Sequence, residues 1–186
     1  METNYYELHV TVLPQQVTEF ADFCKSTQAK PLYIQLGRGI HRNQLMLAVN
    51  TMLPDDRAAR GWALDYSRMI DQHFPVTRTK LESRLTEGPN EYYEAHWKLN
   101  FVIADVENRI GKFRCKMPHL LHSSNLFDER IQYLSQRIYG SSDPLTASQE
   151  FNASGVAINF SGLSLVKTHY ERCVWDSNPA LDYGWV

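Results

Sequence analysis

The feature that most constrains this chain is a self-similarity between its two halves. Near the start it reads Tyr6-Glu7-Leu8-His9-Val10-Thr11-Val12, and past the middle Tyr93-Glu94-Ala95-His96-Trp97-Lys98-Leu99. Both fit Y-E-x-H-x-[T/K]. Each alternates with period two, so Glu7, His9 and Thr11 project to one side and Leu8, Val10 and Val12 to the other. Glu94, His96 and Lys98 oppose Ala95, Trp97 and Leu99 in the same way. The pattern is that of two strands, each with a polar face and an apolar face.

The segments downstream of the two strands also correspond. Residues 15–26 and 104–115 have helical apolar spacing (Val17, Phe20, Cys24; Val106, Ile110, Phe113), and both lead to a Lys and a Pro. Leu32–Leu36 reads as a strand, Gly37-Arg38-Gly39 and Arg42-Asn43 as turn, and Gln44–Val49 as the returning strand of a hairpin. Pro54-Asp55-Asp56 announces a longer helix with Ala59, Trp62, Tyr66 and Met69 on one stripe. Its counterpart is expected to open at Asp128, with Ile131, Leu134 and Ile138 on one side. Each half closes on an extended segment, Val76–Glu82 and Val166–Glu171, which share [R/K]-x-[K/H]-x-E. Gly140 to Ser154 reads as an extra polar stretch in the second half, and Asn178–Val186 as a non-repeating tail whose aromatics pack back onto the body. The expected fold class is α+β: two ferredoxin-like β-α-β-β-α-β lobes from an internal duplication, residues 1–86 and 91–186, with a central polar cleft.

Helices cover only one face of each sheet, so the polar faces of four strands are expected to line that cleft. They supply Glu7, His9 and Thr11; Arg78, Lys80 and Glu82; Glu94, His96 and Lys98; Lys167, His169 and Glu171. Such a mixture of charges and imidazoles is costly unless the groups pair with one another or hold a ligand. Two imidazoles facing one phosphoester can act as general base and general acid, with hydroxyl and cationic neighbours steadying the phosphoryl oxygens. Here the chain resembles the two-histidine phosphoesterase family, whose duplicated lobes each present H-x-[T/S]-x. His9-Val10-Thr11-Val12 fits the motif in full, and His96-Trp97-Lys98-Leu99 has a lysine where the family has a hydroxyl. The resemblance implies His9 and His96 as a catalytic pair, with Thr11 holding phosphate. Thr11, Lys98, Arg78, Lys80 and Lys167 are expected to contact anionic oxygens, and Glu7 and Glu94 to orient the imidazoles. Arg38 and Arg42 form a second candidate for phosphate, at a glycine-rich hairpin tip beside the cleft mouth.

The expected ligand is therefore a phosphorylated small molecule or short oligonucleotide, hydrolysed at a phosphodiester or bound without turnover, and no cofactor is called for. An alternative is chelation of a divalent metal by His9, Glu82, His96 and Glu171, in an arrangement similar to the vicinal oxygen chelate enzymes. Composition excludes other classes. Nineteen basic against twenty-one acidic residues give a net charge of −2 and remove the broad positive field that long nucleic acid requires. No apolar run approaches the roughly 20 residues of a membrane span, and Met1-Glu2-Thr3-Asn4 does not open a secretion signal, so a cytoplasmic location is expected. Cys24, Cys115 and Cys173 are widely spaced and read as reduced, packed thiols. Walker, dinucleotide-binding and nucleophile-elbow motifs are absent from the sequence.

Overall fold

Among the described residues, alternating apolar and polar side chains make eight strands, and two strand–helix–strand–strand–helix–strand units succeed one another. The computed structural model describes residues 3–100, 106–113, 117, 119–140 and 143–184. The first unit is β1 (Asn4–Val12), α1 (Val17–Ser26), β2 (Lys30–Leu36), β3 (Asn43–Leu53), α2 (Asp56–Asp71) and β4 (Val76–Arg84). The second is β5 (Tyr92–Leu99), α3 (Val106–Gly111), β6 (Leu121–Asn125), β7 (Asp128–Tyr139), α4 (Pro144–Phe160) and β8 (Leu165–Asp176), with a 3-10 turn, Pro179–Asp182, in the tail. Among the described residues no helix is long and apolar enough to cross a membrane.

The expectation of two lobes facing each other across a cleft is overturned. All eight strands form one closed barrel in the order β1-β3-β2-β6-β7-β5-β8-β4. Four strands in the order β2-β3-β1-β4, or β6-β7-β5-β8, end on unpaired edges, whose free N–H and C=O groups seek partners. Each half supplies those partners to the other. β4 pairs antiparallel with β8 from Lys80↔Asp176 to Arg84↔Glu171, and β2 pairs antiparallel with β6 from Ile34↔Asn125 to Leu36↔Ser123. The polar strand faces therefore turn into the lumen of one barrel, and the helices lie outside it.

The apolar faces pack under those helices. Tyr6, Leu8, Val10 and Val12 are buried with Phe20 and Cys24 of α1 and with Ala59, Ala63 and Ile70 of α2. Ala95, Trp97 and Leu99 are buried with Ile110 of α3 and Phe151 and Ile158 of α4. Each large side chain so buried contributes about 1.5 to 3 kcal/mol of transfer free energy. Of the α2 stripe, Trp62 and Tyr66 pack against the core while Met69 is 37% exposed. Cys24 and Cys173 are buried and free; Cys115 lies outside the described residues.

Two further expectations are corrected in the second half. The segment opening at Asp128 is strand β7, not a helix, and the matching helix is α4, which starts inside the supposed polar stretch. Ile131, Leu134 and Ile138 fit a helical stripe, but the segment is held on both sides by β5 and β6. Asp143 caps α4, its carboxylate accepting from the N–H groups of Leu145 and Thr146 at 3.0 Å each. Asp55 caps α2 likewise, accepting from Ala58 N–H at 2.8 Å.

One buried side chain ties the halves at the joint between them. Arg172 of β8 donates to both carboxylate oxygens of Asp56 at the start of α2 (2.8 and 2.9 Å), to Ser83 Oγ at 3.0 Å and to Pro89 C=O at 2.8 Å. Gly88 has φ +137°, and a Cβ there would lie 2.5 Å from the Arg172 guanidinium.

Candidate functional site

Strand register places the chemistry. In the first unit β1 and β4 set Glu7 opposite Glu82, His9 opposite Lys80 and Thr11 opposite Arg78. In the second, β5 and β8 set Glu94 opposite Glu171, His96 opposite His169 and Lys98 opposite Lys167. Because β4 and β8 are neighbours, β1, β4, β8 and β5 form one continuous charged wall. The strands between them supply the other wall, where Leu32, Ile34 and Leu36 of β2, Met46 of β3, Leu121 of β6 and Ile131 and Tyr133 of β7 are interspersed with the polar Lys30, Gln44, Ser123, Asn125, Ser135 and Arg137. The cavity between the walls has a volume of about 350 Å³.

Of the residues singled out from the sequence, Glu7, His9, Thr11, Arg78, Lys80, Glu82, Glu94, His96, Lys167, His169 and Glu171 all line this cavity. Arg38, Arg42 and Lys98 are not among its lining residues. Arg42 donates to Leu36 C=O within the hairpin, and Arg38 donates to Leu120 C=O just before β6, so both arginines hold backbone. Lys98 lies opposite Lys167 on β8 and Tyr133 on β7. Sequence reasoning missed Ser135, Arg137 and Asp182 among the lining residues, and the buried Asp176 beside them. The first two lie on β7, where a period-two reading of Ile131, Tyr133, Ser135 and Arg137 was the available signal. Asp182 lies in the tail, which carries no periodicity.

The charged groups form a chain of ion pairs. His9 Nε2 is 3.1 Å from Glu82 and 3.6 Å from Glu7. Lys80 Nζ sits between two buried carboxylates, 2.8 Å from Glu82 and 3.1 Å from Glu94. Glu94 also meets Arg137 at 3.3 Å. His96 Nδ1 is hydrogen-bonded with Ser135 Oγ at 2.7 Å, and its Nε2 is 3.4 Å from Glu171 and 3.9 Å from Glu94.

These contacts set the protonation states. Burial disfavours a charged His96, but Glu94, then Glu171 and Glu82, lift its pKa to about 9, so it is an imidazolium at neutral pH. Burial likewise opposes the Lys80 ammonium, and Glu82 and Glu94 override it and hold the group charged. Burial works against the Glu82 carboxylate, yet Lys80 and His9 keep it ionised well below the usual range. Glu94, buried beside Arg137 and Lys80, is also lowered. At His169 burial, Lys167 and His96 all depress the pKa.

Ligand atoms of Glu82, Glu94 and His96 lie within 4.8 Å of one another, a donor set suited to a divalent cation. The Lys80 ammonium already stands between the two carboxylates and supplies their positive counter-charge. The residues present therefore do not fit a resident metal while Lys80 is charged.

The far end of the barrel is closed by the C-terminal tail. Arg78 is paired with Asp176, and Tyr92 OH donates to Asp176 Oδ2 at 3.0 Å. Asp182 enters from the tail and pairs with both Arg78 and Arg137. Ile40 N–H donates to Tyr183 C=O at 3.0 Å, and Gly184 packs on Gly39, where a Cβ would lie 3.2 Å from its Cα. The Gly37–Gly39 turn thus docks the tail. At the other end His169 and Lys167 are exposed, so the cavity opens beside them.

No family model and no curated protein matches the chain. Among solved structures, a proposed monooxygenase from Lactobacillus acidophilus NCFM is 10% identical, with a TM-score of 0.32 over 92% of this chain and 93% of that one. A proposed monooxygenase from Fusobacterium nucleatum subsp. nucleatum ATCC 25586 is 6% identical, with a TM-score of 0.33 over 96% of this chain and 95% of the other. A proposed glycine cleavage system transcriptional repressor is 10% identical, with a TM-score of 0.26 over 91% and 98%.

Proposed function

We propose that the barrel encloses a small amphipathic organic molecule, its apolar body against the β2–β3–β6–β7 wall and its polar group against His9, Glu82 and His96. The observation that carries this reading is the Glu82 carboxylate, which touches His9 at 3.1 Å and shares a cluster with His96 in a cavity whose opposite wall carries the apolar side chains of Leu32, Ile34, Leu36, Met46, Leu121 and Ile131. A volume of about 350 Å³ suits a small ligand rather than an oligonucleotide. At neutral pH His96 is a cation whose Nδ1 is engaged by Ser135, leaving the Nε2–H, 3.4 Å from Glu171, to share with an oxygen that carries or develops negative charge. His9, with Glu82 beside it, is the group placed to take up or relay a proton. The chemistry supported is acid–base work on the bound molecule or its tight capture in anionic form.

The phosphoester expectation survives as a second reading, in the form of a small phosphorylated molecule, because Thr11 lines the cavity on the same strand as His9. Against it, Arg78 and Lys80 have carboxylate partners, and Lys98 is not among the lining residues.

One chromophore tests both. Para-nitrophenol has an apolar ring and a titratable hydroxyl, and its phenolate absorbs visible light. Bound beside the His96 imidazolium it is expected to ionise at lower pH than in water, and affinity is expected to fall about tenfold or more in both His9→Ala and His96→Ala. An unshifted absorbance titration, or variants that bind like the parent, would remove the first reading. Release of phenolate from bis(para-nitrophenyl) phosphate, abolished in both variants, would move the assignment to the second.

A further inference from the structure

We propose that Arg78 and Arg137 form a carboxylate-binding subsite at the closed end of the barrel, held by Asp182 of the tail as a tethered occupant that a free carboxylate displaces. The inference goes beyond the reading of the two histidines and stands or falls without it.

The subsite is built by the barrel and filled by something that is not part of it. Arg78 comes from β4 and Arg137 from β7, one from each half, with only 4% and 2% of their side chains exposed. Their guanidinium groups converge on one oxygen of Asp182, Arg137 Nη1 at 2.6 Å and Arg78 Nη2 at 2.9 Å, while Gln44 Nε2 of β3 donates to the other oxygen at 3.3 Å. These are charge-assisted contacts to a planar anion in a nearly dry place, the geometry in which guanidinium recognition of carboxylates is strongest.

Arg78 and Arg137 cannot leave without opening the sheet, whereas Asp182 is carried by a single 3-10 turn beyond the last strand. Besides the Asp182 contacts, that turn is held at its start by Asn178, whose Nδ2 donates to Thr77 C=O at 2.9 Å, and beyond its end by the Ile40–Tyr183 hydrogen bond and the approach of Gly184 to Gly39, with Tyr183 itself 65% exposed. When Asp182 leaves, Arg78 keeps Asp176 and Arg137 keeps Glu94, so the vacated place lacks one negative charge. A singly charged carboxylate restores that balance. A phosphate dianion would bring excess charge against Asp176 and Glu94. Because Arg78, Arg137, Gln44 and Asp182 all line the cavity, a molecule inside it reaches the subsite directly.

The test uses the full chain with acetate as the probe, acetamide as its neutral control and inorganic phosphate as a competing anion, all at constant ionic strength. Asp182→Ala is expected to bind acetate about tenfold or more tightly than the parent, and adding Arg137→Gln to it to abolish the gain. In the parent, saturating acetate is expected to speed hydrogen exchange at the Ile40 amide, which reports tail docking, while acetamide leaves it unchanged. The parent experiment needs no variant and holds even if Asp182→Ala does not fold. Equal acetate affinity in parent and Asp182→Ala, a gain that persists after Arg137→Gln, Ile40 exchange that does not respond to acetate, or tighter binding of phosphate than of acetate would each overturn the proposal.

Discussion

Lys80 decides what the cavity can hold. Its ammonium lies between Glu82 and Glu94, both with 1% side-chain exposure, and removing it leaves two buried carboxylates repelling each other. Lys80→Ala is expected to lose about 3 to 5 kcal/mol in denaturant unfolding. With the ammonium gone, Glu82, Glu94 and His96 become free to coordinate, so manganese or zinc should raise the melting temperature of this variant and leave the parent unchanged. His96 makes a prediction of opposite character. Its pKa is raised in the folded chain to about 9 from an ordinary value of 6.5, so its stabilising contribution is complete below about 6.5 and lost as pH rises through about 9. The melting temperature of the parent relative to His96→Gln should therefore fall across that window, and an imidazole resonance titrating near 9 by NMR should vanish in the variant. The identities of these residues were legible because charged or polar side chains alternate with apolar ones along β1 and β5, while along β4 and β8 titratable side chains still recur every second residue from Arg78 to Glu82 and from Lys167 to Glu171. Their partners were not, since a salt bridge from β4 to β5 leaves no trace in local spacing.

At the scale of elements, legibility tracked amphipathicity. Strands β1 and β5 announce themselves because one side of each meets helices and the other meets the charged lumen. Helix α4 does not, because it has little sidedness: Leu145, Val156 and Phe160 are exposed while Ala147, Phe151 and Ile158 are buried. The Asp143-Pro144 start signal was the clue available there. Strand β7 was misread because three apolar residues happened to fall at helical intervals. The joint between the halves was visible as Thr86–Asn90, yet the clamp that fixes it was not. Arg172 spans β8, the start of α2 and the joint itself, and Gly88 leaves room for its guanidinium. Gly88→Ala places a methyl group against a side chain held by four hydrogen bonds, at a backbone angle unfavourable to alanine. A loss of about 1 to 3 kcal/mol is expected by thermal or chemical unfolding; an unchanged midpoint would mean that Arg172 yields easily.

At the scale of the molecule, the repeat was readable and the closure was not. A βαββαβ pattern specifies four strands, but whether their outer edges meet solvent, another chain or the other half depends on hydrogen bonds between distant segments. Here both edges of each half are consumed by the other. Residues 1–86 and 91–186 expressed apart are therefore expected to aggregate or associate rather than fold as separate monomers, and mixing them should restore native circular dichroism. Two independently folded monomeric halves would contradict a shared barrel.

The two seams of that ring are unequal. Five residue pairs join β4 to β8, a bulge falls among them, and Arg172 braces that side, whereas three pairs join β2 to β6. A hoop fastened more lightly on one side gives way there first. The β2–β6 flank is thus the one that yields first if the staves part, widening a cavity that already meets water beside His169 and Lys167.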